Sequence, residues 1–228
     1  MGKIVISENV TLDGVVQDPT GEEGFRHGGW FVQVGSNDRE GFYKAALDEV
    51  LRAEALLVGR RSYEFLAARW PSRTGELADR MNSIPKYVVS STLEDPGWNN
   101  STVVKGDAVN EVSNLKERLN GEIVVPASLQ LVRTLIEKDL VDELRLMVYP
   151  FVLGAGERLF GETSDRCRCA SSPAGPSVTA SHTSPTRSSE PPRACRRSRW
   201  PPFTRPEGRR TEAVRQAPRG LPGHRCAP

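Results

Sequence analysis

The chain has 228 residues, with 31 Lys or Arg against 29 Asp or Glu and a formal net charge of +2. This length suits one ordinary domain with a buried core, and no apolar run approaches the roughly 18 residues of a membrane-spanning helix. The charge is uneven, because residues 1–163 hold 18 basic and 25 acidic side chains, whereas the remainder holds 13 arginines and 4 acids. Residues 1–163 therefore have the composition of an acidic soluble domain, which argues against nucleic acid as its ligand.

Runs of β-branched and apolar residues alternate with segments of helical periodicity along residues 1–163. Such an alternation is typical of a largely parallel sheet with helices on both faces. Strands are predicted at "KIVIS" near 3, "ALLVG" near 55, "KYVVSS" near 86, "TVV" near 102 and "EIVV" near 122. Helices are predicted over 42–53, over 110–119 behind the N-cap residue Asp107, and over 128–140.

The later run "DELRLMVYPFVLG" has a different pattern. Leu144, Leu146 and Val148 alternate with more polar neighbours. Alternation of this kind indicates a strand with one face buried, and we expect it to be antiparallel at the far side of the sheet.

Four segments after predicted strands carry groups suited to a ligand, because ligands of open α/β sheets gather at the carboxyl ends of strands. In the first, Gly59 permits a tight turn, Arg60 and Arg61 supply positive charge, and Ser62 is a candidate N-cap. Helix amides beside two guanidinium groups suit a phosphate, although a capped helix with solvated arginines is the alternative. The four segments are 58–64, 88–94, 124–132 and 152–160.

Taken together, several motifs from "KIVISENVTLDGVV" to "LVRTLIEKDLVDELRLMVYPFVLGAGERLFG", which ends at Gly161, resemble the dihydrofolate reductase-like superfamily. Within it, the resemblance is to the reductase domain at the C-terminus of bifunctional riboflavin-biosynthesis deaminase-reductases and to its small stand-alone relatives. The resemblance also covers "GGWF", "LLVGRRSYEFLAARWP" and "MNSIPKYVVSSTL". It implies a three-layer α/β/α fold that binds NADPH across the strand ends and passes hydride to a flat heterocycle, pyrimidine-like or pteridine-like.

The resemblance also implies which residues bind the cofactor. Gly59, Arg60, Arg61 and Ser62 match the turn on the 2'-phosphate and pyrophosphate side, and Ser90, Ser91 and Thr92 match the turn on the adenosine side. Pro126, Ala127, Ser128 and Leu129 match a loop that is glycine-rich in many relatives. This chain has no glycine in that loop, which makes close approach of the backbone to a ligand harder.

On the substrate side the resemblance points to Asp13 as the group that manages the proton. Hydride transfer needs no protein nucleophile, because the cofactor carries the chemistry. No carboxylate on a helix is recognised near the site, so folate reduction is not expected. Trp30 is read equally as a stacking ring, a core residue or a dimer contact, and His27 as a loop hydrogen-bonding residue. The expected substrate-binding residues are Gly14, Trp30, Trp70, Gly154, Gly156 and Leu159.

Residues 164–228 form a basic tail rich in Pro, Arg and Ser that we expect to be disordered. Relatives continue with a β-hairpin here, so the fold is predicted to lack its final hairpin. When Asp165 to Thr186 are back-translated with chosen GC-rich codons and read from the third base of the Asp165 codon, one allowed result is an alternating strand, a turn and a second strand. This result suggests a frameshift. The four cysteines, Cys167, Cys169, Cys195 and Cys226, all lie in this tail, and the Cys-x-Cys pair lacks the further ligands of a zinc site.

The protein is expected in the cytoplasm, because residues 1–163 contain no cysteine and the chain opens without the pattern of a secretion signal. We also expect it to be a homodimer. The leading hypothesis is an NADPH-dependent reductase. Two alternatives stay open: a non-catalytic ligand-binding or interaction protein on the same fold, and a truncated product without function. The riboflavin pathway is an expectation by analogy only.

Overall fold

A computed structural model describes residues 1–161, 169–172 and 178–182 of the chain. A 3-10 helix spans Trp30–Gln33. The α-helices are α1 (Ser36–Arg52), α2 (Arg60–Ala67), α3 (Glu76–Ser83), α4 (Ala108–Arg118) and α5 (Leu129–Glu137). The strands are β1 (Lys3–Thr11), β2 (Ala53–Gly59), β3 (Lys86–Val89), β4 (Ser101–Val104), β5 (Glu122–Pro126), β6 (Glu143–Tyr149), β7 (Cys169–Ser172) and β8 (Val178–His182).

The described strands form a single sheet in the order β4-β3-β2-β5-β1-β6-β8-β7. All pairings among β1 to β6 are parallel. Parallel strands need crossover connections, and helices supply them after β1, β2, β4 and β5.

Helices cover both faces of the sheet, which confirms the expected three-layer α/β/α class. Side chains of a strand alternate between faces, so Ile4 and Ile6 of β1 pack with residues of α4 and α5 in one cluster. Val5 packs on the opposite face with residues of α1, α2 and α3. Because both faces are covered, the central strands are buried almost throughout, as their apolar sequences indicated.

Strand β6 runs parallel to β1, so the prediction of an antiparallel strand is wrong. The alternation arises because one face of β6 bears apolar residues and the other bears Arg145. That guanidinium donates to Glu122 at 2.7 Å and to Glu143 at 2.9 Å, and it also contacts Glu49 at 3.4 Å. A charged residue paired inside the protein thus produces the same sequence pattern as a solvent-exposed face.

The final hairpin corrects a second expectation, because two short strands lie where none was predicted. β8 pairs with β6 and β7 pairs with β8, both in antiparallel register. The exposed edge of β6 offers unpaired backbone groups that a following segment can join through its main chain, whatever its side chains. The rest of the tail, with the predicted disorder and the boundary at residue 163, lies outside the described residues, and these stay predictions.

Within the described ranges, no helix is long and apolar enough to cross a membrane.

Candidate functional site

The order of the strands creates a crevice at the carboxyl ends of β1 and β5. From β1 the chain leaves toward β2 through α1, whereas from β5 it leaves toward β6 through α5 on the other face. Neighbouring strands whose connections depart in opposite directions mark the point at which open α/β sheets bind ligands. The pairing of β1 with β5 ends at Ser7 and Pro126, yet β1 continues to Thr11. The crevice therefore opens beside residues 8–11.

A cavity of about 680 Å³ occupies this crevice. Its volume lies within the range of small-molecule and cofactor sites. The end of β1, the loop over residues 16–23, helix α2 and the turn at 126–129 all contribute to its walls. Phe31 and Met147 also line it, and both pack against the buried aromatic cluster of Trp30 and Tyr149.

The turn at 126–129 has a glycine-like backbone although it contains no glycine. Ala127 has a φ of 51° and Ser128 has a φ of 69°, both in the left-handed region. Such conformations cost non-glycine residues about 1–2 kcal/mol each and concentrate at functional sites. All four residues of this turn line the cavity, so the absence of glycine has not removed the backbone shape.

Hydrogen bonds join the three turns that the sequence proposed for the cofactor. The Gly59 amide donates to the Ser128 hydroxyl at 3.1 Å, and the Arg60 guanidinium donates to the Thr92 hydroxyl. Strands β3, β2 and β5 are neighbours and end at one edge, which brings their turns together. The Ser90 hydroxyl accepts from the amides of Thr92 and Leu93 and closes its own turn.

The expected N-cap role of Ser62 is wrong, because α2 begins at Arg60 with Gly59 as its N-cap residue. Ser62 lies within the first turn of α2 and lines the cavity. Ser128 is the N-cap residue of α5, but its hydroxyl makes no capping bond there. Asp107 does cap α4, since its carboxylate accepts from the Asn110 amide at 2.9 Å.

Two ion pairs connect the loop over residues 16–23 to helix α2 and to the turn that follows it. Arg61 of α2 pairs with Glu23, and Arg69 in the turn pairs with Glu22 through its Nε at 2.9 Å. All four side chains belong to residues that line the cavity. The positive charge of these two arginines at the cavity wall is thus balanced by glutamates.

Asp13 braces two loops beside the cavity and is not among the residues that line it. Its carboxylate accepts from the Thr11 hydroxyl at 2.7 Å and from the Gly154 amide at 2.8 Å. The Thr11 hydroxyl, followed by the amides of Gly154 and Leu153, lowers the pKa of Asp13 to about 2. Asp13 is therefore ionised at neutral pH and has no proton to donate.

Of the expected substrate-binding residues, Trp70 lines the cavity. Trp30 is 1% exposed, its ring meets that of Tyr149 edge-on, and its indole N–H donates to the Gln17 carbonyl, so the core interpretation describes its place. Leu159 is buried in the cluster with Ile4 and Ile6.

The three glycines expected to bind substrate lie in packed loops and do not line the cavity. A side chain at Gly156 would lie 2.8 Å from Val15, and its φ of 116° also favours glycine. Gly14 and Gly154 likewise have positive φ values in the two loops that Asp13 joins. His27 accepts a hydrogen bond from Arg26 in the same loop region, as a loop residue would.

Sequence reasoning missed two carboxyl groups that line the cavity, Glu8 and Glu49. Burial raises the pKa of Glu8 to about 8, and burial also raises the pKa of Glu49, against a hydrogen bond from Ser7 and the charge of Arg145. Glu49 lies on α1, so a helix does carry a carboxyl group at this site. The signal in the sequence was an acid at position 8 directly after the apolar run of a strand predicted to be buried, since a buried charge is costly unless paired.

Comparisons with known proteins agree with this geometry. Residues 2–180 match the family described as the RibD C-terminal domain. The uncharacterized protein YyaP of Bacillus subtilis (strain 168) is 28% identical over 169 residues, which cover 72% of this chain and 83% of YyaP.

Two solved structures show the same fold. A protein assigned to riboflavin biosynthesis in Shewanella sp. PV-4 has a TM-score of 0.58 at 20% identity, covering 80% of this chain and 99% of that one. A pyrimidine reductase-like protein of Corynebacterium diphtheriae has a TM-score of 0.54 at 13% identity, covering 80% and 92%.

Proposed function

The chain belongs to the RibD C-terminal domain family, and from that premise we propose that it is an NADPH-dependent reductase of a small pyrimidine-like or pteridine-like heterocycle. The observation that carries the proposal is the crevice at the carboxyl ends of β1 and β5. The turn at 126–129 lines its cavity together with Arg61 and Ser62, and hydrogen bonds join these segments to the neighbouring turn that contains Thr92. Family membership supports the fold, and this arrangement supports the binding of a cofactor beside a substrate.

The residues at the crevice fit a dinucleotide phosphate group. The left-handed backbone at Ala127 and Ser128 gives the turn before α5 a shape normally left to glycine. The first amides of α2 and the guanidinium of Arg61 favour negative charge at the same edge. NADPH, when bound, supplies the hydride, and the protein holds and orients the two rings.

The apolar side of the cavity suits a flat ring. Phe31, Met147 and Trp70 offer aromatic and polarisable surface, and the buried cluster behind Phe31 keeps that wall rigid. A pyrimidine-sized ring together with a nicotinamide is compatible with the volume of about 680 Å³. A dimer, a cytoplasmic location and a link to riboflavin synthesis remain part of this proposal.

Titration of the full chain with NADPH, followed by fluorescence, tests the proposal. We expect saturable binding, a preference for NADPH over NADH, and about tenfold weaker binding of NADPH after Arg61→Ala, because a charge-assisted contact is lost. Arg118→Ala on the exposed side of α4 is the matched control and should bind as the unaltered chain does. A cooperatively melting chain that binds neither cofactor would refute the reductase.

One observation favours the non-catalytic alternative. Arg60 pairs with Glu64 at 2.7 Å and Arg61 pairs with Glu23, so both arginines of the proposed phosphate site already have intramolecular partners. A protein that binds no cofactor could retain them for stability alone. The same titration separates the two functions, because only the reductase needs these arginines to exchange partners for a phosphate.

The frameshift is a separate proposal about the residues after Asp165, and it bears on the truncated-product alternative. It expects the coding DNA to contain, in the shifted frame, a segment that encodes two alternating strands and a turn. Sequencing that DNA across the codons for Thr163 to Thr186 checks it. A shifted frame without such a hairpin would remove the proposal.

A further inference from the structure

Glu8 is a buried acidic residue with no structural role in the contacts described above. It is 6% exposed, it lines the cavity, and its Oε1 atom has no hydrogen-bond partner among the described residues. Its neighbour Asn9 lines the same cavity and also has a buried side-chain oxygen without a partner. Buried polar atoms are normally satisfied, so two in succession at the open end of β1 indicate groups that a ligand completes.

The position of Glu8 explains why its Oε1 atom has no partner among the described residues. It continues the face of β1 that carries Ile4 and Ile6, and it stands opposite Leu146 in the pairing with β6. Val16 and Leu129, which pack against the same apolar cluster, line the cavity beside it. Beyond Ser7, β5 no longer covers this side of the strand. Glu8 thus lies where the apolar core opens into the crevice.

Several charged groups of the other cavity walls have partners of their own. Glu49 of α1 contacts Arg145, Arg61 of α2 pairs with Glu23, and Arg69, in the turn after α2, pairs with Glu22. Burial alone raises the pKa of Glu8 to about 8. At neutral pH its carboxyl group is therefore mostly protonated, with one O–H donor and one carbonyl acceptor.

We propose that Glu8 is a specificity-determining residue which, as a neutral carboxylic acid, donates one hydrogen bond to the bound heterocycle and accepts another from it. This inference rests on the proposed function. The matching ligand edge has a ring carbonyl next to a ring N–H, because such an edge offers one acceptor and one donor side by side. An ionised carboxylate would instead require two adjacent donors.

The test uses uracil as the probe and 1,3-dimethyluracil as the same ring without N–H donors. Calorimetry of the full chain near pH 6.5, with and without NADP⁺, should show uracil binding at least about tenfold more tightly than the dimethyl compound. Glu8→Gln retains one donor and one acceptor without a charge, so uracil affinity should stay within about threefold. Glu8→Leu should weaken uracil about tenfold and abolish the preference over the dimethyl compound.

Two controls make the outcome specific. Glu117→Leu on the exposed side of α4 should leave both affinities unchanged, and thermal melting should show that every variant is folded. The inference is overturned if uracil does not bind the unaltered chain saturably at millimolar concentration, if both probes bind equally, or if Gln weakens uracil as much as Leu does. Loss of NADP⁺ binding with the uracil results intact would refute the reductase and support the role of Glu8.

Discussion

Two buried ionisable side chains, at opposite edges of the same sheet, have contrasting surroundings. Lys86, at the amino end of β3, is 1% exposed, and its ammonium donates to the carbonyls of Ile84 at 2.8 Å, Asn99 at 2.9 Å and Asn82 at 3.3 Å. It also lies 4.3 Å from the centre of the Trp98 ring. Glu8, at the carboxyl end of β1, has an oxygen without any described partner. The ammonium of Lys86 is fully paired, whereas Glu8 keeps an unpaired oxygen beside a cavity.

The contrast distinguishes a residue that stabilises the fold, Lys86, from residues that lower stability at a candidate binding site. At the amino end of the parallel strands, the ammonium of Lys86 connects the end of α3, the start of β3 and the loop before β4. At the carboxyl edge, the unpaired atoms of Glu8 and Asn9 and the left-handed Ala127 and Ser128 all lower the stability of the free protein. Local costs of this kind are typical of binding sites in which a ligand supplies the missing partners.

The largest expected effect comes from removing the paired ammonium of Lys86. Lys86→Met fills similar space but leaves three backbone carbonyls without their donor, so we expect the free energy of unfolding to fall by about 3 kcal/mol. Chemical denaturation at neutral pH measures the change. Lys105→Met is the matched control: its exposed pair with Glu94 should contribute less than about 0.5 kcal/mol. Equal effects of the two substitutions would contradict the contrast.

A second prediction concerns the pH dependence of stability and Glu8. The pKa of this carboxyl is about 8 in the folded protein and 4.5 as its ordinary value, so the folded state binds the extra proton between these limits. Stability associated with Glu8 is fully present below pH 4.5 and is lost as the pH rises through 8. Glu8→Gln cannot ionise, and it should be more stable than the unaltered chain by about 2 kcal/mol at pH 8.5.

Denaturant midpoints from pH 4 to pH 9 check this second prediction. The difference between Glu8→Gln and the unaltered chain should grow with pH and be smallest near pH 4. Glu117→Gln, an exposed control on α4, should give curves parallel to those of the unaltered chain. A difference independent of pH would mean that Glu8 is not the group that titrates.

The smallest expected effect concerns the strained backbone of the 126–129 turn, at the carboxyl end of β5. Ala127→Gly relieves a left-handed alanine at a φ of 51°, and this gain exceeds the entropy that glycine adds to the unfolded chain. We expect stability to rise by about 0.5 kcal/mol. Thermal melting measures it, and Ala108→Gly in the first turn of α4 serves as a control that should destabilise. Destabilisation at both positions would show that the 126–129 turn stores no strain.

Residue pattern alone determined the main architecture. The apolar runs near residues 3, 55, 86, 102 and 122 became parallel strands, and Asp107 caps α4 as predicted, because burial on two faces and capping are local properties of sequence. Glycine content could not foretell the backbone of the 126–129 turn. Ala127 adopts the left-handed region in a turn that lies between β5 and α5 and that the Gly59 amide contacts through the Ser128 hydroxyl.

The direction of β6 and the unpaired state of Glu8 were decided by tertiary structure. Alternation along β6 has two physical origins, a solvent-exposed face or an internal charge network, and only the three glutamates around Arg145 distinguish them. In the same way, the carboxyl group of an acidic residue in a strand can have a hydrogen-bond partner or lack one. Which of these holds depends on where β5 ends beside β1, and that register arises from contacts between residues more than a hundred positions apart.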